Sequence, residues 1–160
     1  MKTLIKRLAL IALVAGFMPV PGPVSAADLS IIDKRIDVMK NVVLKNLKVI
    51  KGYVKEGKGT PADVATAAAA LAVVAPKIPG LFPEDTGRPE VDAKKTRALP
   101  DIWLDFDKFR AVAKTLETEA KKLSKVAMTG DKGAIAAQFG AMGKKGCGGC
   151  HKPFRGDKVK

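Results

Sequence analysis

Residues 101–127, DIWLDFDKFRAVAKTLETEAKKLSKVA, decide the fold class. Ile102, Trp103, Phe106, Phe109, Val112, Ala113, Leu116, Ala120, Leu123 and Val126 recur in steps of three and four, with lysines and carboxylates between them. That spacing puts one apolar stripe on a helix of period 3.6. The helix is expected to start at Pro100 and Asp101 and to stop at Gly130.

Working outward, Asp131 reads as the N-cap of a following helix that carries Ile135, Phe139 and Met142 towards the carboxyl terminus. On the other side, residues 76–100 hold five of the chain's ten prolines, together with Gly80 and Gly87, and show no periodicity. They are expected to form a structureless loop, and loops of that length tend to be functional or disordered. Before them, Thr60 as N-cap and Pro61 at the first helical position open an alanine-rich helix that Pro76 begins to break. Ile31, Ile32, Val38, Met39, Val42, Val43, Leu47, Val49, Ile50 and Val54 describe a first helix over residues 31–54. Four helices without a strand pattern predict an all-α protein, an antiparallel four-helix bundle.

The first 26 residues read as a secretory signal peptide. Lys2, Lys6 and Arg7 form the positive region, LALIALVAGFM the apolar one, and VSA a small-residue cleavage site before Ala27. The apolar run is too short to span a bilayer, so the expectation is an exported protein without stable membrane insertion, its domain covering residues 27–160. Removing the three leader cations takes the net charge from +13 to +10. Such a balance favours acidic partners. One Trp, one Tyr and no basic block interleaved with aromatics argue against nucleic acid, as does export.

Both cysteines and the only histidine lie in GKKGCGGCHKPFR, residues 143–155, as Cys147, Cys150 and His151. Cys-x-x-Cys-His is the attachment pattern of c-type haem. Thiols three apart lie on one helical face and can meet the two vinyl groups along one porphyrin edge, with the adjacent imidazole placed as proximal iron ligand. A thioredoxin-like site would sit in an α/β pattern, a zinc site would want a fourth ligand, and a disulfide here would close too short a loop to stabilise much. One covalently bound haem c is therefore the expected cofactor. No Ser, His and Asp set remains for catalysis, so no enzymatic activity is expected.

On these residues the chain resembles the class II c-type cytochromes, the cytochrome c′ family. CGGCHKPFR matches the family's Cys-x-x-Cys-His-x-x-aromatic-Arg ending, ALPDIW (residues 98–103) its Ala-x-Pro-Glu-Ile-Trp segment, and RIDVM (residues 35–39) its first-helix arginine region. The resemblance implies a bundle with haem near the carboxyl terminus, Cys147 and Cys150 as thioether cysteines and His151 as axial ligand. It implies haem contacts for Arg35, near the propionates, and for Arg97, and a distal position for Met39 facing the iron. Homodimers through helices one and two are common among relatives. Ile36 stands where the family often has glutamine, and Pro153 interrupts helical bonding before Arg155, so the family's use of that arginine does not carry over.

Met39 lies four residues after Arg35, on the same helical face, and a thioether is a known axial ligand that raises haem potential. Ligation would place the chain in the low-spin, methionine-ligated branch. The competing role is core packing, the usual task of a methionine on an apolar face. The functional expectation is a periplasmic carrier of single electrons between redox partners with acidic docking surfaces. The alternative is a five-coordinate, high-spin haem protein that binds nitric oxide or carbon monoxide.

Overall fold

The computed structural model describes residues 26–159, with side chains from Ser30 onward, so the leader expectation for residues 1–25 lies outside the described residues. The first rod of the bundle is α1 (Ala26–Asp37), continued through a π-helical segment (Val38–Val43) into α2 (Leu44–Glu56). The Leu44 N–H bonds to the Met39 carbonyl five residues back, the signature of the wider turn. Gly57 ends the rod in the left-handed region at φ 67°, where a side chain would be strained.

The second rod, α3 (Pro61–Val74), starts as its sequence dictates. The Asp63 N–H donates to Thr60 Oγ1 at 3.2 Å while the Thr60 N–H donates to Asp63 Oδ2 at 2.8 Å, a reciprocal capping box. Its buried face, Val64, Ala67, Ala68, Leu71 and Ala72, is made mostly of small residues, and α3 packs most extensively against the third rod.

Residues 76–100 correct the expectation of a structureless loop. Two 3₁₀ turns, Ala75–Lys77 and Pro79–Leu81, open the segment, and Ile78, Leu81, Val91 and Ala98 are buried. Proline removes backbone donors and so blocks long helices, but short turns can still seat apolar side chains on the bundle. Trp103 holds this strap down: its indole Nε1–H donates to the Phe82 and Pro83 carbonyls, 3.1 Å each. Gly87 lies against the ring so closely that a Cβ there would come within 2.2 Å of it.

The third rod also departs from expectation. Instead of one helix from Asp101, there is a single turn, α4 (Asp101–Leu104), and then α5 (Phe106–Ala127). Asp105 leaves helical geometry at φ −139°, ψ 65° and accepts from the Lys108 N–H at 3.0 Å, acting as the cap of α5. The fourth rod is α6 (Lys132–Met142), a second π-helical segment (Gly143–Cys147), and α7 (Gly148–Phe154). Asp131 caps α6 as expected, accepting from the Ala134 N–H at 3.0 Å.

The rods form a four-helix bundle around Ile50, Val64, Leu71, Ile102, Leu116, Leu123, Ile135 and Met142. Each such side chain contributes about 1.5–3 kcal/mol on burial. One buried carboxylate also joins the rods: Glu119 on α5 accepts from Gln138 Nε2 of α6 at 2.7 Å, with Lys122 and Lys145 Nζ at 3.4 and 3.6 Å. The Gln138 bond, ahead of the two lysines, holds its pKa below the ordinary carboxylate value. A lowered folded-state pKa contributes stability that is complete above the unfolded value and lost as pH falls through the folded one. Glu119→Gln is expected to lose about 1–2 kcal/mol near neutral pH, on the order of 5 °C in Tm. Melting curves from about pH 6 to about pH 3 should show that deficit shrinking as the parent carboxylate protonates.

Candidate functional site

The motif of residues 147–151 sits where the fourth rod changes pitch. Gly143–Cys147 is π-helical, with the Gly148 N–H bonded to the Gly143 carbonyl, and α7 follows at once. Glycine is required just before the motif. A Cβ on Gly146 would lie 2.8 Å from Leu116 Cδ1 and 3.0 Å from Leu116 Cα, so only glycine lets α5 approach this closely. Gly149 is less constrained, with a built Cβ 3.4 Å from Val112 Cγ1. Pro153 falls within α7, which ends one residue later, and Arg155 is extended at φ −122°, ψ 113°.

That extended segment is clamped by the strap. Ala98 and Arg155 form an antiparallel bridge, in which the Leu99 N–H donates to the Phe154 carbonyl (3.1 Å) and the Gly156 N–H to the Arg97 carbonyl (2.8 Å). Arg97 Nε donates to the Gly156 carbonyl at 2.7 Å. Arg88 donates to the Thr96, Ala93 and Asp157 carbonyls at 2.8–2.9 Å.

Cys147 and Cys150 are half-buried, unpaired with each other, and packed against the main core cluster, as is Met39 in the first π-helical segment. Val43, Phe106, Val112 and Phe139 border the same cluster. Burial pushes both thiols up, Cys150 to about 11 with a further contribution from Cys147. Thiols so raised are protonated near neutral pH, unlike the depressed thiol of a redox-active Cys-x-x-Cys. Among the described residues no set of three or more His, Cys, Asp or Glu side chains could hold a metal ion. His151 keeps an exposed surface, yet partial desolvation of its ring, then the charges of Arg155 and Arg97, hold it below the ordinary imidazole value. It is therefore neutral near pH 7, with a ring lone pair able to bind a metal. Two reduced thiols one turn apart beside a neutral imidazole are the donor set that a covalently attached haem needs.

Arg35, near the end of α1, bonds to the strap. It is 5 % exposed, and among the described residues no carboxylate pairs with it. Nη2 donates to the Thr86 carbonyl and to Thr96 Oγ1, 2.9 Å each, Nη1 reaches Thr86 Oγ1 at 3.5 Å, and the guanidinium lies 4.4 Å over the Phe82 ring. Desolvation lowers its pKa to about 10, which leaves it charged at neutral pH. From Phe82 a run of edge-on aromatic contacts leads to the motif helix: Phe82 to Phe109 at 4.9 Å, and Phe109 to Phe154 at 5.2 Å.

Cys147, Cys150 and Met39 thus each border the core that runs through the bundle, Arg97 and Arg155 act on His151 by their charges, and Arg35 bonds to the strap. Sequence reasoning missed Phe82, Thr86, Arg88 and Thr96. Nothing marks threonines in a proline-rich loop as partners of an arginine 51 and 61 residues away.

A helical bundle with paired thiols and a histidine at its carboxyl-terminal end defines a class of covalent haem proteins. The Cytochrome C' family model matches residues 30–155, and the chain belongs to that family. It is similar to cytochrome c' of Rhodospirillum rubrum, with 32% identity over 152 residues, covering 95% of this chain and 99% of the relative. It is also similar to the crystal structure of cytochrome c' from Thermochromatium tepidum, at 28% identity and TM-score 0.70, covering 85% of this chain and all of that one. A further cytochrome c' structure, described as having an unusual ligand-controlled dimer dissociation, matches at 25% identity and TM-score 0.70, covering 84% of this chain and 100% of the other. Like its family, the protein binds one covalently attached haem c.

Proposed function

We propose that this chain is an exported carrier of single electrons, its haem c held by Cys147 and Cys150 as thioethers, with His151 as proximal ligand and Met39 as the sixth. The observation that carries the reading is the position of Met39. It sits half-buried in a π-helical segment, against the core that runs through the whole bundle and that both cysteines also border. Single π-helical turns inside α-helices are frequent at functional sites, and this one contains Met39 on an otherwise regular rod.

Haem c supplies a one-electron ferric/ferrous couple whose potential follows its axial ligands and burial. The side chains do the rest. His151, held neutral, presents a ring nitrogen. Val112, which lies against Gly149 of the motif, and other half-buried apolar residues of the core would exclude water from the group and lower the local dielectric. Arg35 offers a buried cation to a propionate, which would supply the countercharge it lacks among the described residues. The net charge of +10 once the three leader cations are removed from the +13 of the whole chain suits an acidic redox partner, approached by charge steering. No helix among the described residues is long and apolar enough to cross a membrane, in keeping with a freely diffusing periplasmic carrier.

The second reading, a five-coordinate haem that binds nitric oxide or carbon monoxide, is favoured by the neighbour whose dimer dissociation is ligand-controlled. A homodimer belongs with that reading. The visible and EPR spectra of the unmutated ferric protein separate the two. Low spin with the weak long-wavelength band of thioether ligation is the expected result; high spin with ready carbon monoxide binding would replace the carrier by the gas-binding reading.

A further inference from the structure

Arg35 is a charged side chain buried at 5 % exposure, surrounded by neutral acceptors. Burying a cation without an ion partner opposes folding, and an apolar residue of similar volume would avoid that cost. The protein instead devotes two threonines to it. Thr86 is fully buried and Thr96 is 5 % exposed. Both belong to the strap, not to the helix that carries Arg35, so the guanidinium's position is set by a second element.

That element is itself fixed at both ends. Thr86 Oγ1 donates to the Pro83 carbonyl at 2.7 Å, and Pro83 is held by the Trp103 indole. Thr96 Oγ1 also accepts from the Ala98 N–H at 3.2 Å, and its carbonyl takes Arg88 Nε at 2.9 Å. Arg88 and Arg97 in turn tie the strap to Gly156 and Asp157, just beyond the motif helix. A bond network that runs from the motif's end to the guanidinium gives Arg35 little freedom to swing.

We infer that Thr96, supported by Thr86, is a positioning residue that fixes the Arg35 guanidinium against the haem edge, so that the strap sets how strongly this charge acts on the iron. The inference rests on the reading of Arg35 as a propionate partner. A cation held close to the haem disfavours the more positive ferric state, and releasing it lowers the reduction potential. Thr96→Val removes the hydroxyl acceptor while keeping the side-chain volume, and Thr96→Ser keeps the acceptor.

The test is the midpoint potential of purified holoprotein, measured for Arg35→Leu, Thr96→Val, Thr96→Ser and the Arg35→Leu/Thr96→Val double variant. Arg35→Leu is expected to lower the potential. Thr96→Val should lower it in the same direction by more than half as much, Thr96→Ser should match the parent, and Thr96→Val should add nothing once Arg35 is leucine. If Arg35→Leu moves the potential and Thr96→Val does not, or if Thr96→Val acts equally in both backgrounds, the positioning role is overturned. If Arg35→Leu itself leaves the potential unchanged, the propionate reading fails instead. Should Thr96→Val not accumulate as holoprotein, Thr96→Ala carries the same comparison, with the same outcomes for and against.

Discussion

Replacing Cys147 and Cys150 together by serine is expected to abolish covalent haem attachment, so that acid acetone extracts all haem from the variant and none from the parent. Serine keeps the shape but cannot form a thioether, and the chain has no other cysteine to substitute. The effect on folding should also be large. The half-buried Met39, Val43, Phe106, Val112 and Phe139 border the cluster that receives both thiols. A macrocycle with the apolar area of two large aromatic side chains, about 300–500 Å², is worth on the order of 10 kcal/mol at most when buried. That is comparable with the whole stability of a typical domain, about 5–15 kcal/mol. The variant should therefore melt far below the parent, with a broad transition by circular dichroism. Covalent haem surviving acid acetone would show that the attachment lies elsewhere; a parent-like melt would show that the bundle closes without the group.

The helices legible in the sequence are those begun by local chemistry. Thr60, Pro61 and Asp63 form their capping box from residues three apart, and Asp131 caps Ala134 in the same way, so neither needs tertiary context. The break at Asp105 was hidden because Trp103 and Phe106 keep helical spacing across it, and an aspartate inside an amphipathic pattern reads equally as a solvated face. The two π-helical segments were hidden for a related reason: a single wide turn shifts register by one residue while leaving apolar residues near their expected intervals. The motif cysteines and histidine stood out by spacing alone. The Arg35 setting did not, because a hydroxyl acceptor 61 residues distant leaves no periodic trace. The strap is ordered through such contacts, by the Trp103 indole, Arg88 and Arg97, and composition reports only the prolines that keep it from being helical.

Met39→Ala is expected to convert a low-spin ferric protein into a high-spin one that binds carbon monoxide readily, with loss of the long-wavelength thioether band and a lower reduction potential. Packing and ligation predict different outcomes for this one change. As a packing residue, a half-buried methionine truncated to alanine costs about 2 kcal/mol or less, below the usual range for full burial, and leaves the iron's electronic state alone. As a ligand, it changes spin state, potential and gas access together, because one sulfur atom controls all three. The local backbone bears on the choice. Met39 lies in the Val38–Val43 segment, where the carbonyl of Met39 is bonded by the N–H of Leu44 five residues on, while α1 and α2 on either side are regular. A core methionine needs no such irregularity, since its three rotatable bonds let it fill a gap from an ideal helix. A ligand has to put its sulfur at one point in space, and a local change of helical pitch is a way to reach that point without moving the rest of the rod. A high-spin, carbon monoxide-binding spectrum already present in the unmutated protein would make Met39 part of an apolar distal lining, and the same wide turn would then shape a pocket for a gas.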